Sequence, residues 1–194
     1  KEIETWLPEL LKQNLAVLTI HLRTRKEMSD VPVHWDVMRR IIELRDKIAP
    51  ETLIIGNGGV KDLADAKKKV KETGCDGVMM GTAIFGNPWL FRSVHTSKST
   101  RKILLNFRSA RASRAAQGFS PYVPTLQERL KVMIEHTKIF EGHFKGVKSF
   151  AVMKKHFKAY CSGFEGAKEL RTKLMETTSA KEVEKIVKDF LKNK

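Results

Sequence analysis

Two cysteines in 194 residues, Cys75 and Cys161, are too few for a disulfide framework and fit no metal-ligand spacing, which suits a reducing compartment. No apolar run approaches the ~20 residues that span a bilayer, and no stretch has the form of a secretory signal. These absences predict a cytoplasmic protein with no membrane and no metal. The composition also lacks the low hydrophobicity of a disordered chain: 41% of residues are hydrophobic, ordinary for a globular protein with one sizeable core or two small ones. His34, His95, His136 and His143 share no ligand spacing and read as surface or loop residues.

Acidic residues are scarce in one part of the chain only. Residues 1–91 hold 14 lysines and arginines against 13 acidic residues, whereas residues 92–194 hold 23 against 9, so nearly all of the net charge of +15 is C-terminal. Such asymmetry attracts polyanions, nucleic acid first, because each neutralised phosphate releases counterions; the alternative is a lysine-rich solvated surface. Residues 92–124 carry seven basic residues and no acidic one. This is a basic linker or arm that either meets RNA phosphates or is a solvated connection.

What the chain does contain is organised around residues 52–89. Thr52-Leu53-Ile54-Ile55-Gly56-Asn57-Gly58-Gly59 and Gly77-Val78-Met79-Met80-Gly81-Thr82 are two apolar runs of strand length, each ending in glycine, with a helical segment between them. Only glycine lets a backbone come close enough to lay its N–H groups on a phosphate, so the pair reads as a phosphate cup. In (β/α)₈ barrels that cup is built from the loops after the last two strands and a short extra helix, which here begins near Thr82. An earlier run, Leu15 to Ile20, is apolar enough for a parallel strand covered on both faces and ends in His21-Leu22-Arg23-Thr24-Arg25, polar groups at the mouth of such a barrel. Met79 and Met80 read as strand core residues.

Helical periodicity fills the intervals. Ile3, Trp6, Leu7, Leu10 and Leu11 form one stripe over Glu2–Asn14; Met38, Ile41, Ile42, Arg45 and Ile48 form another over Trp35–Ile48; Leu63, Ala66 and Val70 point inward over Lys61–Thr73, closed by Gly74. Asn87-Pro88 reads as N-cap and first residue of a helix starting at Trp89. Thr125-Leu126-Gln127-Glu128 and Ser179-Ala180-Lys181-Glu182 are capping boxes, the first opening a helix to about Phe140 with Leu130, Met133, Ile134 and Thr137 inward. Phe150, Met153, Phe157 and Tyr160 line the next, which leaves Lys148, Lys154, Lys155 and Lys158 as RNA-facing candidates. The fold class is therefore α/β, the C-terminal part of a TIM-type β/α barrel (1–91), then the basic linker (92–124), then an all-α helical bundle domain (125–194). Three strands are visible where a closed barrel needs eight.

The succession His21-Leu22-Arg23-Thr24-Arg25, Gly56-Asn57-Gly58-Gly59, Asp76-Gly77-Val78-Met79-Met80-Gly81 and Gly86-Asn87-Pro88-Trp89-Leu90-Phe91 resembles the second barrel half of tRNA-dihydrouridine synthases. Lys154-Lys155-His156-Phe157, Tyr160, Gly163-Phe164-Glu165-Gly166-Ala167 and Leu170-Arg171 resemble that family's helical tRNA-binding domain. The resemblance implies an FMN enzyme, recharged by NADPH or NADH, that reduces uridine to 5,6-dihydrouridine in tRNA and is a monomer when complete. It implies that His21, Arg23, Asn57, Gly58, Gly59, Gly81 and Thr82 bind the cofactor, and that Arg25, Lys148, Lys154, Lys155, His156, Lys158 and Arg171 contact RNA. The family usually has glycine at Leu22 and arginine at Thr82, so one charge-assisted phosphate contact is missing here. Its proton-donating cysteine and flavin-contacting lysine belong to the first barrel half and are not in this sequence. Cys75 and Cys161 read as structural, no catalytic residue is assigned, and the chain alone is expected to be inactive. Two other readings stay open: a dihydroorotate-dehydrogenase-like flavin barrel, and a non-catalytic RNA-binding remnant.

Overall fold

A computed structural model describes residues 2–28, 30–92 and 122–193. The expected basic linker, and His95 with it, lies over residues 93–121 outside the described residues. The chain divides into two compact units, the first ending at Ala83 and the second taking Ile84–Arg92 together with the helices after Tyr122. In this division the Asn87-Pro88-Trp89 segment falls in the same unit as the helical residues.

The first unit is α/β. Helix α1 (Glu2–Leu11) leads into β1 (Val17–His21); a 3₁₀ turn (Trp35–Val37) continues as α2 (Met38–Ile48); β2 (Leu53–Asn57), α3 (Leu63–Thr73) and β3 (Gly77–Met79) complete it. The strands form a parallel sheet in the order β1-β2-β3, with His21 opposite Asn57 and Asn57 opposite Met79. Helix α1 stops short of the expected Asn14 because Asn14 takes a left-handed backbone at φ 53°, a conformation asparagine tolerates and an α-helix does not. Asp62 caps α3 by accepting from the Asp65 N–H, and Gly74 closes it at φ 77°.

The core lies on one face of this sheet. Leu7, Leu11, Met38, Ile41 and Ile54 are buried there, with Leu18, Ile20 and Val78 packed against them. Trp35 needs Gly56: a Cβ at that position would sit 2.6 Å from its ring. The expectation of strands covered on both faces is not met. Val17, Leu53 and Met79 are exposed among the described residues, so Met79 is not a core residue, and the strands alternate instead of burying both sides. Trp6 and Leu10 also leave the expected stripe; Trp6 is 70% exposed. An apolar stripe wider than the surface it meets buries only part of itself.

At the other end of the sheet, Arg45 is buried beneath β2 and β3. Its Nη1 donates to the Thr52 carbonyl at 2.7 Å and to Asp76 at 2.8 Å, and the same Asp76 oxygen accepts from the Ile54 N–H. This network pins the start of β2 to the start of β3, which fixes where their glycine ends emerge.

Every regular element described after Tyr122 is helical: α4 (Leu126–Phe144), a 3₁₀ turn (Phe150–Met153) running into α5 (Lys154–Tyr160), α6 (Ala167–Met175) and α7 (Ala180–Lys192). Both expected N-caps form, Thr125 and Ser179 each accepting from the N–H three residues on, and at Thr125 the reciprocal bond from Glu128 is present. Leu130, Met133, Met153, Phe157, Leu170, Leu174, Val183 and Val187 are buried together. By contrast, Asn87 does not cap a helix among the described residues. Successive 3₁₀-type bonds follow it, Leu90 N–H to Asn87 and Arg92 N–H to Trp89, and Asn87 Oδ1 is buried without a partner among them.

Candidate anion-binding rim and basic face

The C-terminal ends of the three strands carry one connected polar group. His21 Nδ1 and Asn57 Oδ1 are hydrogen-bonded to each other across β1 and β2. Asn57 Nδ2 donates onward to the Met79 carbonyl at 2.9 Å. An asparagine at this register position therefore ties the three strand ends together, and its acceptor oxygen fixes the Nδ1–H form of the neighbouring imidazole.

Beyond Asn57 the backbone turns sharply, with Gly58 at φ 133° and Gly59 at φ 64°. A Cβ on either would lie 2.8 Å from the Val33 side chain, so both conformation and space require glycine. Trp35 Nε1 donates to the Gly58 carbonyl at 3.0 Å, which turns that carbonyl toward the protein. No hydrogen bond among the described residues uses the N–H of Gly58, Gly59, Gly81 or Thr82. After Gly81 the chain makes one 3₁₀ turn, Thr82–Ile84, in place of the longer helix that a barrel phosphate site commonly adds. The arrangement offers backbone donors and an imidazole along one rim, the chemistry of an anion site.

The loop after β1 is built around Glu27. Its carboxylate accepts the Thr24 N–H at 2.7 Å and meets His34 Nε2 at 3.0 Å. The Thr24 N–H, the His34 ring and the Thr24 hydroxyl, in that order, hold the Glu27 carboxyl down at about 2. Arg23 Nε donates to the Val31 carbonyl at 2.8 Å, so part of the guanidinium already serves the loop, while Arg25 is exposed. A cleft of about 390 Å³ between α1 and β1 reaches His21, Arg23 and Thr24.

On the helical unit, the RNA candidates are not equivalent. Lys148, Lys155 and Lys158 are exposed and Lys154 is half-buried. Arg171 Nη1 donates to the Cys161 carbonyl at 3.1 Å and Arg129 Nη1 to the Ser162 carbonyl at 2.8 Å, so both arginines serve the carbonyls that follow α5. Cys161 is buried, and burial pushes its thiol up to about 12 despite the two guanidiniums. Cys75 is buried as well.

One grouping escaped the sequence. His136, expected as a surface or loop residue, is half-buried, its ring centroid 4.8 Å from that of His156 and its Nδ1 3.3 Å from the Tyr160 hydroxyl. Burial pulls both imidazoles below their ordinary value of 6.5. His136 lies three residues after Met133, on the same inward stripe of α4, and that spacing was the available signal.

Parallel strands with glycine-ended loops and a strand-end histidine place the first unit in the α/β class, and helices with exposed lysines follow it. The particular family follows from comparison. The chain matches the family model described as dihydrouridine synthase over residues 9–194, and it belongs to that family. It is 35% identical over 189 residues to "Probable tRNA-dihydrouridine synthase 2" of Bacillus subtilis (strain 168), covering 97% of this chain and 50% of that protein. It is 34% identical over 190 residues to "Probable tRNA-dihydrouridine synthase" of Staphylococcus aureus (strain MRSA252), with the same two coverages. The chain thus spans about half the length of the curated relatives it matches.

Proposed function

We propose that this chain forms part of a tRNA-dihydrouridine synthase, contributing one wall of an FMN site and the surface that holds tRNA. The reading is carried by the amides of Gly58, Gly59, Gly81 and Thr82, which no hydrogen bond among the described residues uses, on the same rim as His21. Their donor chemistry fits a phosphomonoester, which accepts several N–H groups and favours a site where glycine lets it approach. Bound FMN, reduced by NADPH or NADH, would supply the hydride that saturates the uridine C5–C6 bond. Gly58, Gly59, Gly81 and Thr82 would donate to its phosphate, and His21 would lie beside the cofactor with Asn57 keeping that ring in place. The Arg23 nitrogens not used by Val31 and the exposed Arg25 would face cofactor or RNA.

In this reading β1–β3 are three strands of a (β/α)₈ barrel. Support comes from the sheet order, which leaves one edge each of β1 and β3 unpaired among the described residues, and from the apolar face of Val17, Leu53 and Met79. The helices after Tyr122 would be a tRNA-binding bundle, and Lys148, Lys154, Lys155, His156, Lys158 and Arg171 its RNA contacts. In this reading the 194-residue chain by itself would not turn over; the burial of Cys75 and Cys161 supports a structural role for both.

The test is a pair of titrations on the 194-residue chain. FMN and riboflavin are followed by flavin fluorescence, and tRNA is followed by gel shift over a salt series. Preference for FMN over riboflavin, lost in Gly58→Val, together with salt-sensitive tRNA retention is the expected result. Equal binding of riboflavin removes the phosphate site, and absence of tRNA binding at low salt removes the RNA reading.

A further inference from the structure

Charge alone cannot tell a surface that grips paired RNA from one that takes an unpaired base; an exposed ring among unneutralised cations can. Residues 142–164 contain five lysines, two histidines and no aspartate or glutamate. Among the described residues none of those lysines is in an ion pair. Against this stretch, within the same unit, lies Phe85, 42% exposed. Its ring centroid is 5.2 Å from that of His156, tilted by 53°, and Lys155 Nζ stands 5.7 Å from it.

Phe85 is held there by its neighbour. Gly86 takes φ 72°, and a Cβ on it would lie 2.7 Å from the backbone carbon and oxygen of Ala159, so the loop is seated directly on the end of α5. His156 is braced in turn by His136, which meets Tyr160. The ring is thus fixed on one side by the protein and 42% exposed. Burial pulls the His156 imidazole below its ordinary value of 6.5, and Lys155 supplies positive charge beside the Phe85 ring.

We propose that Phe85, backed by His156 and flanked by Lys155, is a stacking platform for one unpaired base of the bound RNA, with the Lys155 ammonium serving the adjoining phosphate. The inference rests on the RNA reading above and deepens it by naming single-stranded nucleotides as what this face selects. An aromatic ring beside cations is the arrangement that single-strand binders use, because every base has a π-face and every nucleotide a phosphate.

The probe is a single-stranded oligoribonucleotide carrying one 2-aminopurine, titrated into the 194-residue chain over a salt series, with a duplex of the same sequence for comparison. Quenching of the 2-aminopurine on binding and weaker binding of the duplex are expected. Phe85→Leu is expected to lose about 5- to 100-fold in affinity at an unchanged salt slope, and Phe85→Trp to retain binding. Lys155→Gln is expected to shallow the slope by about 0.7. If Phe85→Leu binds as the parent does, or polyglutamate competes as well as RNA, the platform is refuted while RNA binding stands or falls on its own titration. If the parent chain binds no RNA at low salt, the RNA reading fails and the platform with it.

Discussion

Gly86→Ala tests how the segment after the sheet is seated. Two costs combine at this position. An alanine at φ 72° loses about 1–2 kcal/mol relative to glycine in the left-handed region. Its Cβ would also lie 2.7 Å from the Ala159 carbon and oxygen and 3.0 Å from the Tyr160 nitrogen. Those are backbone atoms of α5 that cannot rotate aside, so relief requires the loop to lift, at about 1–3 kcal/mol. The sum is about 2–5 kcal/mol for the helical unit, or a urea midpoint lower by about 1–2.5 M at an m-value of about 2 kcal/mol/M. Gly146 is the control: it has φ 78° with nothing within 4 Å, so Gly146→Ala carries the backbone term alone, partly offset by the stiffer unfolded chain. The assay is urea unfolding followed by helical circular dichroism on both variants. Equal midpoint shifts for the two would refute the packing argument, and with it the claim that Phe85 is fixed against α5.

The remaining expectations concern titration and reactivity. Glu27 has its carboxyl lowered from 4.5 to about 2; a depressed carboxylate stabilises the loop fully above about pH 4.5 and ceases to do so as pH falls through about 2. A carboxyl titration by NMR should give that low midpoint, and Glu27→Gln should abolish the coupled shift of the Thr24 amide; a midpoint near 4.5 would contradict the loop geometry. Cys161, buried with its thiol up at about 12, should react with a disulfide reagent at neutral pH at least tenfold more slowly in the folded chain than in urea. Fast labelling of the Cys161-only variant, made by Cys75→Ser, would show that the α5–α6 junction opens.

Much of this protein was determined by its sequence alone. The alternation of apolar runs with helical stripes fixed three parallel strands and their intervening helices, because periodicities of 2 and 3.6 are local properties of a chain. Thr125, Ser179 and Gly74 marked helix ends for the same reason: a cap is made within four residues. Gly58 and Gly59 announced a turn that no other residue adopts cheaply. The family resemblance, carried by motifs along most of the chain, was also legible and the family match agrees with it.

Only the tertiary structure decided which of these residues are spent and which are free. Arg23 and Arg171 look like two more cations in the sequence, yet each donates to a backbone carbonyl eight or ten residues away. His136 looked peripheral because its partners, His156 and Tyr160, lie one helix further on, and a stripe reports only its own helix's face. Val17, Leu53 and Met79 looked like core because a strand's composition cannot say whether a second layer covers it. The placement of Phe85 follows from a glycine that fits only against the α5 backbone, a contact between residues more than seventy positions apart. Local pattern specifies elements; which surfaces meet is a property of the packed chain, and in this protein that meeting leaves the Phe85 ring exposed beside Lys155.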